Sequence, residues 1–166
     1  MSKEWFVLQF KSNSHHLATK NLTRQGFETF LPLHNTTSRK SSRFINTCKP
    51  LFPGYMFIRF DKAEYEWHKI NNTYGVSRLI TFNSILKSIP TTFVDSLMKR
   101  YDSSGKLLPI EKLKKGDEIK ILKGPFANFI ATVEKYETDQ RILVLMDLMG
   151  RKTKIEAFSD ALQTSN

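Results

Sequence analysis

Residues 54–60 read Gly54-Tyr55-Met56-Phe57-Ile58-Arg59-Phe60. Side chains alternate across a strand, so Met56, Ile58 and Phe60 share one face while Tyr55, Phe57 and Arg59 share the other. An earlier run, Trp5-Phe6-Val7-Leu8-Gln9-Phe10, is aromatic, β-branched and apolar on both alternating faces. A central strand covered on both sides reads this way. The two segments anchor an α+β fold in which helices cover a largely antiparallel sheet.

Ser12 and Ser14 offer N-caps for a helix running to about Gln25, and Gly26 is placed to end it. Residues 27–37 form a second extended stretch, interrupted by Pro32, which suits a sheet edge. Ser38-Arg39-Lys40-Ser41-Ser42-Arg43 reads as a basic hairpin tip, from which the chain returns through residues 44–53. A short helix over about 62–71 and a strand over 76–82 follow. A last helix from Pro90 to about Tyr101 carries Phe93, Val94, Leu97 and Met98 on one face.

Residues 102–109, Asp-Ser-Ser-Gly-Lys-Leu-Leu-Pro, gather chain-breaking and small polar types. They predict a linker over 102–112 between a domain of residues 1–101 and one of residues 113–166. In the second part, 118–123, 129–136, 142–149 and 152–158 read as strands, with Gly124-Pro125 and Thr138-Asp139-Gln140 as turns. Short strands in so small a domain bury a face by closing on themselves, so a small β-barrel is expected there.

The 166 residues hold 26 Lys+Arg against 16 Asp+Glu, a net charge of +10. Residues 1–104 carry 15 basic and 7 acidic side chains, against 11 and 9 in residues 105–166. A basic first part beside a near-neutral second part predicts one unit facing a polyanion and another with a different partner. The single cysteine, Cys48, excludes an intramolecular disulfide and a cysteine-based zinc cluster. With only Lys49 beside it, Cys48 reads as a buried thiol. No run approaches the ~20 apolar residues of a membrane span, and the first residues show no secretory pattern. A cytoplasmic monomer with no membrane partner is expected.

Catalysis has little support. His15, His16, His34 and His68 lack the company of a metal site, no Gly-rich phosphate loop occurs, and the N-terminal carboxylates show no paired spacing. The expectation is a binding protein with no catalytic residue, no metal and no cofactor. An RNA-processing enzyme is the rival from another class.

Two local sequences carry a family resemblance. Pro50-Leu51-Phe52-Pro53-Gly54-Tyr55-Met56-Phe57 resembles the signature segment of the NusG family of transcription elongation factors. Lys115-Gly116-Asp117-Glu118-Ile119-Lys120-Ile121, followed by Gly124-Pro125-Phe126, resembles the KOW motif that opens that family's C-terminal barrel. Trp5 and Trp67-His68 match as well. Ile70-Asn71-Asn72-Thr73-Tyr74-Gly75-Val76-Ser77, with Phe82, is similar to the specialised RfaH-like branch, whereas Gly54 and Trp67-His68 are closer to the general NusG pattern.

The resemblance implies an elongation and antitermination factor whose first domain sits on the clamp helices of RNA polymerase. Tyr55, Phe57 and Phe82 would form the docking patch, and Trp67 and His68 would meet the opposite jaw of the cleft. Alternation alone leaves Tyr55 and Phe57 open to being core, and Trp67 to being a buried anchor. Lys11, Lys20, Asn21, Arg24, Gln25, Thr73 and Tyr74 would contact the non-template DNA strand. Asn21, Arg24 and Gln25 share a helix face at i, i+3 and i+4, which equally describes a solvated surface. Asn21 and Tyr74 stand where RfaH-type proteins have histidine and arginine, so a recognition element does not transfer. The basic loop 38–43 could reach upstream DNA or a polymerase loop.

Phe126, Phe129, Ile142 and Met146 are candidates for the contact through which the KOW domain would bind a small-subunit ribosomal protein, or Rho as in general NusG factors; each is equally a candidate for barrel core. A ribosome-associated KOW RNA-binding protein is a further alternative. In RfaH-type proteins this barrel can refold into a helical hairpin that masks the polymerase patch. Here Lys49 replaces the expected carboxylate opposite Arg141, and β-branched Ile119, Ile121, Val133, Ile142 and Val144 favour strands. A barrel ground state is therefore predicted.

Overall fold

The computed structural model describes residues 2–101 and 127–150. Strand β1 (Glu4–Phe10) lies inside a four-stranded antiparallel sheet with β2 (Glu28–Phe30), β5 (Tyr55–Phe60) and β6 (Val76–Leu79), in the order β2-β5-β1-β6. Its register with β5 runs from Glu4 opposite Phe60 to Gln9 opposite Tyr55. On the other side Leu8 lies opposite Leu79.

The alternation read from residues 54–60 holds, and each face has its own apolar cluster. Met56, Ile58 and Phe60 join Phe6, Leu8 and Phe10 beneath Ala18 and Leu22 of α1 (His15–Arg24) and Ile70 of a 3-10 helix (Tyr65–Asn72). The Phe6 and Phe60 rings stack with centroids 4.3 Å apart. On the opposite face Trp5, Val7 and Phe57 pack with Phe93, Val94 and Leu97 of α2 (Thr91–Arg100). A fully buried side chain of this size contributes about 1.5–3 kcal/mol relative to exposure, so covering both faces dominates the stability of this sheet.

Local signals fare unevenly. Ser14 takes the N-cap position of α1, but its hydroxyl donates to the Ser12 carbonyl (3.1 Å) and caps no helical N–H. Pro32 splits the stretch 27–37. Its first part is β2, whereas β3 (Leu33–Lys40) leaves the main sheet to pair only with β4 (Arg43–Pro50). Ser41 and Ser42 turn that hairpin with φ of 50° and 69°. The strand expected over 76–82 divides into β6 and β7 (Thr81–Phe82), and β7 pairs with β8 (Ile85–Leu86).

Where the structure describes the C-terminal part, it shows helices in place of the strands expected there. Of the segments read as barrel strands, 129–136 lies in α3 (Ala127–Lys135) up to its last residue, and 142–149 lies within α4 (Thr138–Gly150). The buried positions follow helical spacing: Ile130 and Val133 on α3, then Arg141, Leu145, Leu148 and Met149 on α4. Residues 142–146 are apolar at every position, so they satisfy a period of two and a period of 3.6 alike. Packing on an apolar sheet face then overrides the preference of Val133, Ile142 and Val144 for strands. The remaining KOW-like segments and the linker 102–112 lie outside the described residues.

Gly75 follows the 3-10 helix with φ +92°, and a Cβ there would lie 2.5 Å from the Ala18 nitrogen and 2.9 Å from its Cα. Backbone atoms cannot yield as a side-chain tip can. Gly26 has a similar φ of +91° but open space around it. Gly75→Ala should lower stability by more than the ~1–3 kcal/mol expected of a strained backbone alone, and Gly26→Ala by about 1 kcal/mol. Urea midpoints check this; equal shifts in the two variants contradict the close approach of Gly75 to α1.

Candidate functional site

The end of α1 and the loop after the 3-10 helix enclose an open cleft of about 300 Å³, lined by Asn21, Arg24, Gln25, Asn72, Thr73 and Tyr74. Long-range hydrogen bonds fix its walls. Asn21 Nδ2 donates to the Tyr74 carbonyl (3.3 Å) and Gln25 Nε2 to Thr73 Oγ1 (3.0 Å), while Thr73 Oγ1 donates to the Lys69 carbonyl (2.9 Å). The Lys11 N–H donates to the Gly75 carbonyl (2.9 Å), which sets Lys11 beside the same loop.

The structure therefore gathers residues that lie far apart in the sequence. Tyr74 is 79% exposed, Arg24 and Gln25 are exposed in the same cleft, and Lys11 and Lys20 are exposed as well. Thr73 is buried and holds Gln25 in place, so it is a positioning residue and not an outward contact. Arg24, in the last turn of α1, supplies positive charge where the helix dipole alone would repel an anion. A guanidinium, two amides and a free phenol ring can reach phosphates and base edges and can stack on an unpaired base. Asn72, which sequence reasoning missed, adds a third amide; its position next to Thr73 was the available signal.

The second candidate surface is covered. Phe57 is 1% exposed, against Phe30, Phe52 and Phe93 with ring centroids 5.9–6.3 Å away, and Tyr55 and Phe82 are partly buried against the same cluster. That cluster continues into Ile130 and Val133 of α3 and Leu145, Leu148 and Met149 of α4. The aromatic patch that the resemblance offered for docking is thus the floor of a contact with the C-terminal helices, and Phe57 is core, as its alternation left open. Met146 packs against it and Ile142 is half-buried on α4. Phe126 and the side chain of Phe129 lie outside what the structure describes.

Polar contacts rim this seam. Arg100 Nε lies 3.7 Å from Glu134 Oε1, and the Tyr101 hydroxyl donates to the same oxygen (3.3 Å). Burial pushes the Glu134 carboxyl above its usual range despite Arg100, Tyr101 and Arg141, and burial followed by the Glu134 charge raises the Tyr101 phenol. Arg141 is only 9% exposed. Its Nη1 contacts His34 Nε2 (3.1 Å) and donates to the Leu51 carbonyl (3.3 Å), and Nη2 donates to the Glu134 carbonyl (3.2 Å). With Lys49 where a carboxylate was expected, the guanidinium is held by an imidazole and two carbonyls. Burial, then Arg141 and Lys49, lower the pKa of His34.

Trp67 and His68 sit away from this seam. Trp67 stacks on Phe60 (6.0 Å, 17° between planes) against the cluster of the opposite sheet face, and its Nε1 donates to the Lys62 carbonyl (3.1 Å). This is the anchoring role left open by its sequence. His68 stacks on Trp67 and is exposed. Cys48 is exposed, contrary to the buried thiol expected, because β4 belongs to a hairpin paired on one side only. Among the described residues no group of His, Cys, Asp and Glu could hold a metal, and no helix is long and apolar enough to cross a membrane.

Comparison with known proteins places the chain in a family. The family model described as "Transcription termination factor nusG" matches residues 3–101. The chain is 27% identical over 176 residues to the "Transcription termination/antitermination protein NusG" of Staphylococcus aureus strain Mu50, covering 98% of this chain and 96% of that one, and the same figures hold for strain N315. A solved structure described as "Domain interaction in Thermotoga maritima NusG" aligns with a TM-score of 0.36 and 18% identity over 82% of this chain and 62% of that one. The chain belongs to the NusG family of non-enzymatic transcription termination and antitermination factors, which act with RNA polymerase.

Leu145 is fully buried in the seam. An ionised carboxylate is not tolerated in such a site without a partner, so Leu145→Asp should detach α3 and α4 while leaving the main sheet folded. Binding of an apolar dye should rise and helical circular dichroism should fall, with the unfolding transition of the sheet retained. Unchanged dye binding and helicity contradict the assignment of Leu145 to the seam.

Proposed function

We propose that this chain is a specialised, RfaH-like NusG factor that supports elongation and antitermination. The sheet face around Tyr55, Phe57 and Phe82 docks on the clamp helices of RNA polymerase, with Trp67 and His68 toward the opposite side of the polymerase cleft. The cleft of Asn21, Arg24, Gln25 and Tyr74, flanked by Lys11 and Lys20 and shaped by Thr73, takes the displaced non-template strand. Residues 113–166 act first as a cover, through α3 and α4. Once released they close as a KOW barrel and recruit a small-subunit ribosomal protein through Phe126, Phe129, Ile142 and Met146.

The observation that carries this reading is the packing of Leu145, Leu148, Ile130 and Val133 in one cluster with Phe57, with Tyr55 and Phe82 at its edge. An apolar patch with a detachable cover suits a partner that is met only at the right moment, because open patches of this kind associate indiscriminately. The separate polar cleft gives the DNA a surface of its own. A general NusG role with Rho as partner is the second reading, favoured by the likeness to the staphylococcal factors over nearly the whole chain.

Retention on purified RNA polymerase elongation complexes tests the reading. Leu145→Asp should bind more tightly than the unaltered chain, and adding Tyr55→Ala should then remove about tenfold or more of that affinity, as loss of a central aromatic anchor does. Arg24→Ala should weaken recruitment to complexes paused with exposed non-template DNA and leave binding to core polymerase unchanged. Retention on ribosomal RNA in place of polymerase, or equal losses for Arg24→Ala in both assays, contradicts the division of surfaces.

A further inference from the structure

We propose that His34 is a proton-operated latch for the cover: neutral, it accepts from Arg141 and holds α4 against the β3–β4 hairpin; protonated, it releases it. The reading rests on α3 and α4 being a cover, as argued above. Arg141 Nη1 lies 3.1 Å from His34 Nε2, and neutral imidazole is an acceptor at one ring nitrogen only. Protonation places an N–H on both nitrogens and a positive charge against a nearly buried guanidinium. The acceptor is lost and two cations face each other.

The surroundings sharpen the effect. Lys49 is directly opposite His34 in the β3–β4 ladder, and Arg141 faces it from α4. Glu134 of α3 lies beyond the guanidinium, to which it gives its carbonyl, while its carboxylate is engaged by Arg100 and Tyr101. The buried Arg141 Nε has no hydrogen-bond partner among the described residues, so this guanidinium is already poorly compensated. Losing one more acceptor weakens a contact with little in reserve.

The direction with pH follows from linkage. With the cover closed, burial, Arg141 and Lys49 hold His34 below its ordinary value. Opening removes the burial and the Arg141 charge, and with only Lys49 of the same hairpin left beside it the imidazole rises toward the ordinary value of about 6.5. The open form then binds more protons, so closure is complete above that value and is lost as pH falls through it, by at most about tenfold per pH unit. Glu134 acts in the opposite sense, since its raised carboxyl favours the closed form in acid. The two linkages are separable by substitution.

The test uses the full chain without polymerase. Amide-exchange protection of α3 and α4, corrected for intrinsic exchange rates, is measured between pH 8 and 5.5 for the unaltered protein, His34→Gln and Glu134→Gln. Gln keeps an acceptor at position 34 but cannot titrate. Protection in the unaltered protein should fall at least about threefold, His34→Gln should abolish the fall, and Glu134→Gln should steepen it. As a second measurement, the NMR titration midpoint of the His34 ring should rise toward the ordinary histidine value in Leu145→Asp. The same profile in His34→Gln, no fall in the unaltered protein, or a parallel fall across α1 overturns the latch. If the latch fails while Leu145→Asp still gains polymerase affinity, the docking reading stands; if the pH effect holds but that gain is absent, the docking reading fails alone.

Discussion

Strands β1 and β5 carry apolar side chains on both faces, and water must be kept from each. Helix α1 and the 3-10 helix close one side with Ala18, Leu22 and Ile70. On the other side α2 supplies Phe93, Val94 and Leu97, and the cluster around Phe57 is completed by side chains from α3 and α4. One face of the sheet is thus covered by its own neighbours in sequence and the other partly by a distant segment. The hydrophobic effect does not distinguish a cover supplied in cis from one supplied by a partner.

Polar groups decide how firmly that second cover sits. Its rim contains a carboxylate shared by Arg100 and Tyr101 and a guanidinium satisfied by carbonyls and an imidazole. Buried ions contribute little net stability when well paired, but one left without its partner is strongly destabilising, so this rim sets how easily α3 and α4 are lost. The cleft at the end of α1 is built differently, from amides and a threonine whose hydrogen bonds tie α1 to a loop about fifty residues later. Its walls belong to the N-terminal fold and do not depend on the cover.

Much of the fold was legible in the sequence because its signals are periodic. The alternation of residues 55–60, the apolar run of β1, and Phe93, Val94 and Leu97 in a helix follow from side-chain spacing alone. The residues of the cleft were legible through their chemistry and family resemblance, and the structure brings Asn21, Arg24, Gln25, Thr73 and Tyr74 together. What misled was the C-terminal segment. Residues 142–146 are apolar throughout, so their period is ambiguous, and the choice between strand and helix is made by the surface that receives them. The role of His34 was equally hidden, since it depends on Arg141, which lies 107 positions away.

The central claim is that the cover and the polymerase compete for one face of the sheet. Amide exchange of the full chain, alone and bound to RNA polymerase, tests it directly. The account predicts that α3 and α4 lose protection on binding while β1 and α1 keep theirs. Helices α3 and α4 that stay as protected in the complex as in the free chain would contradict it.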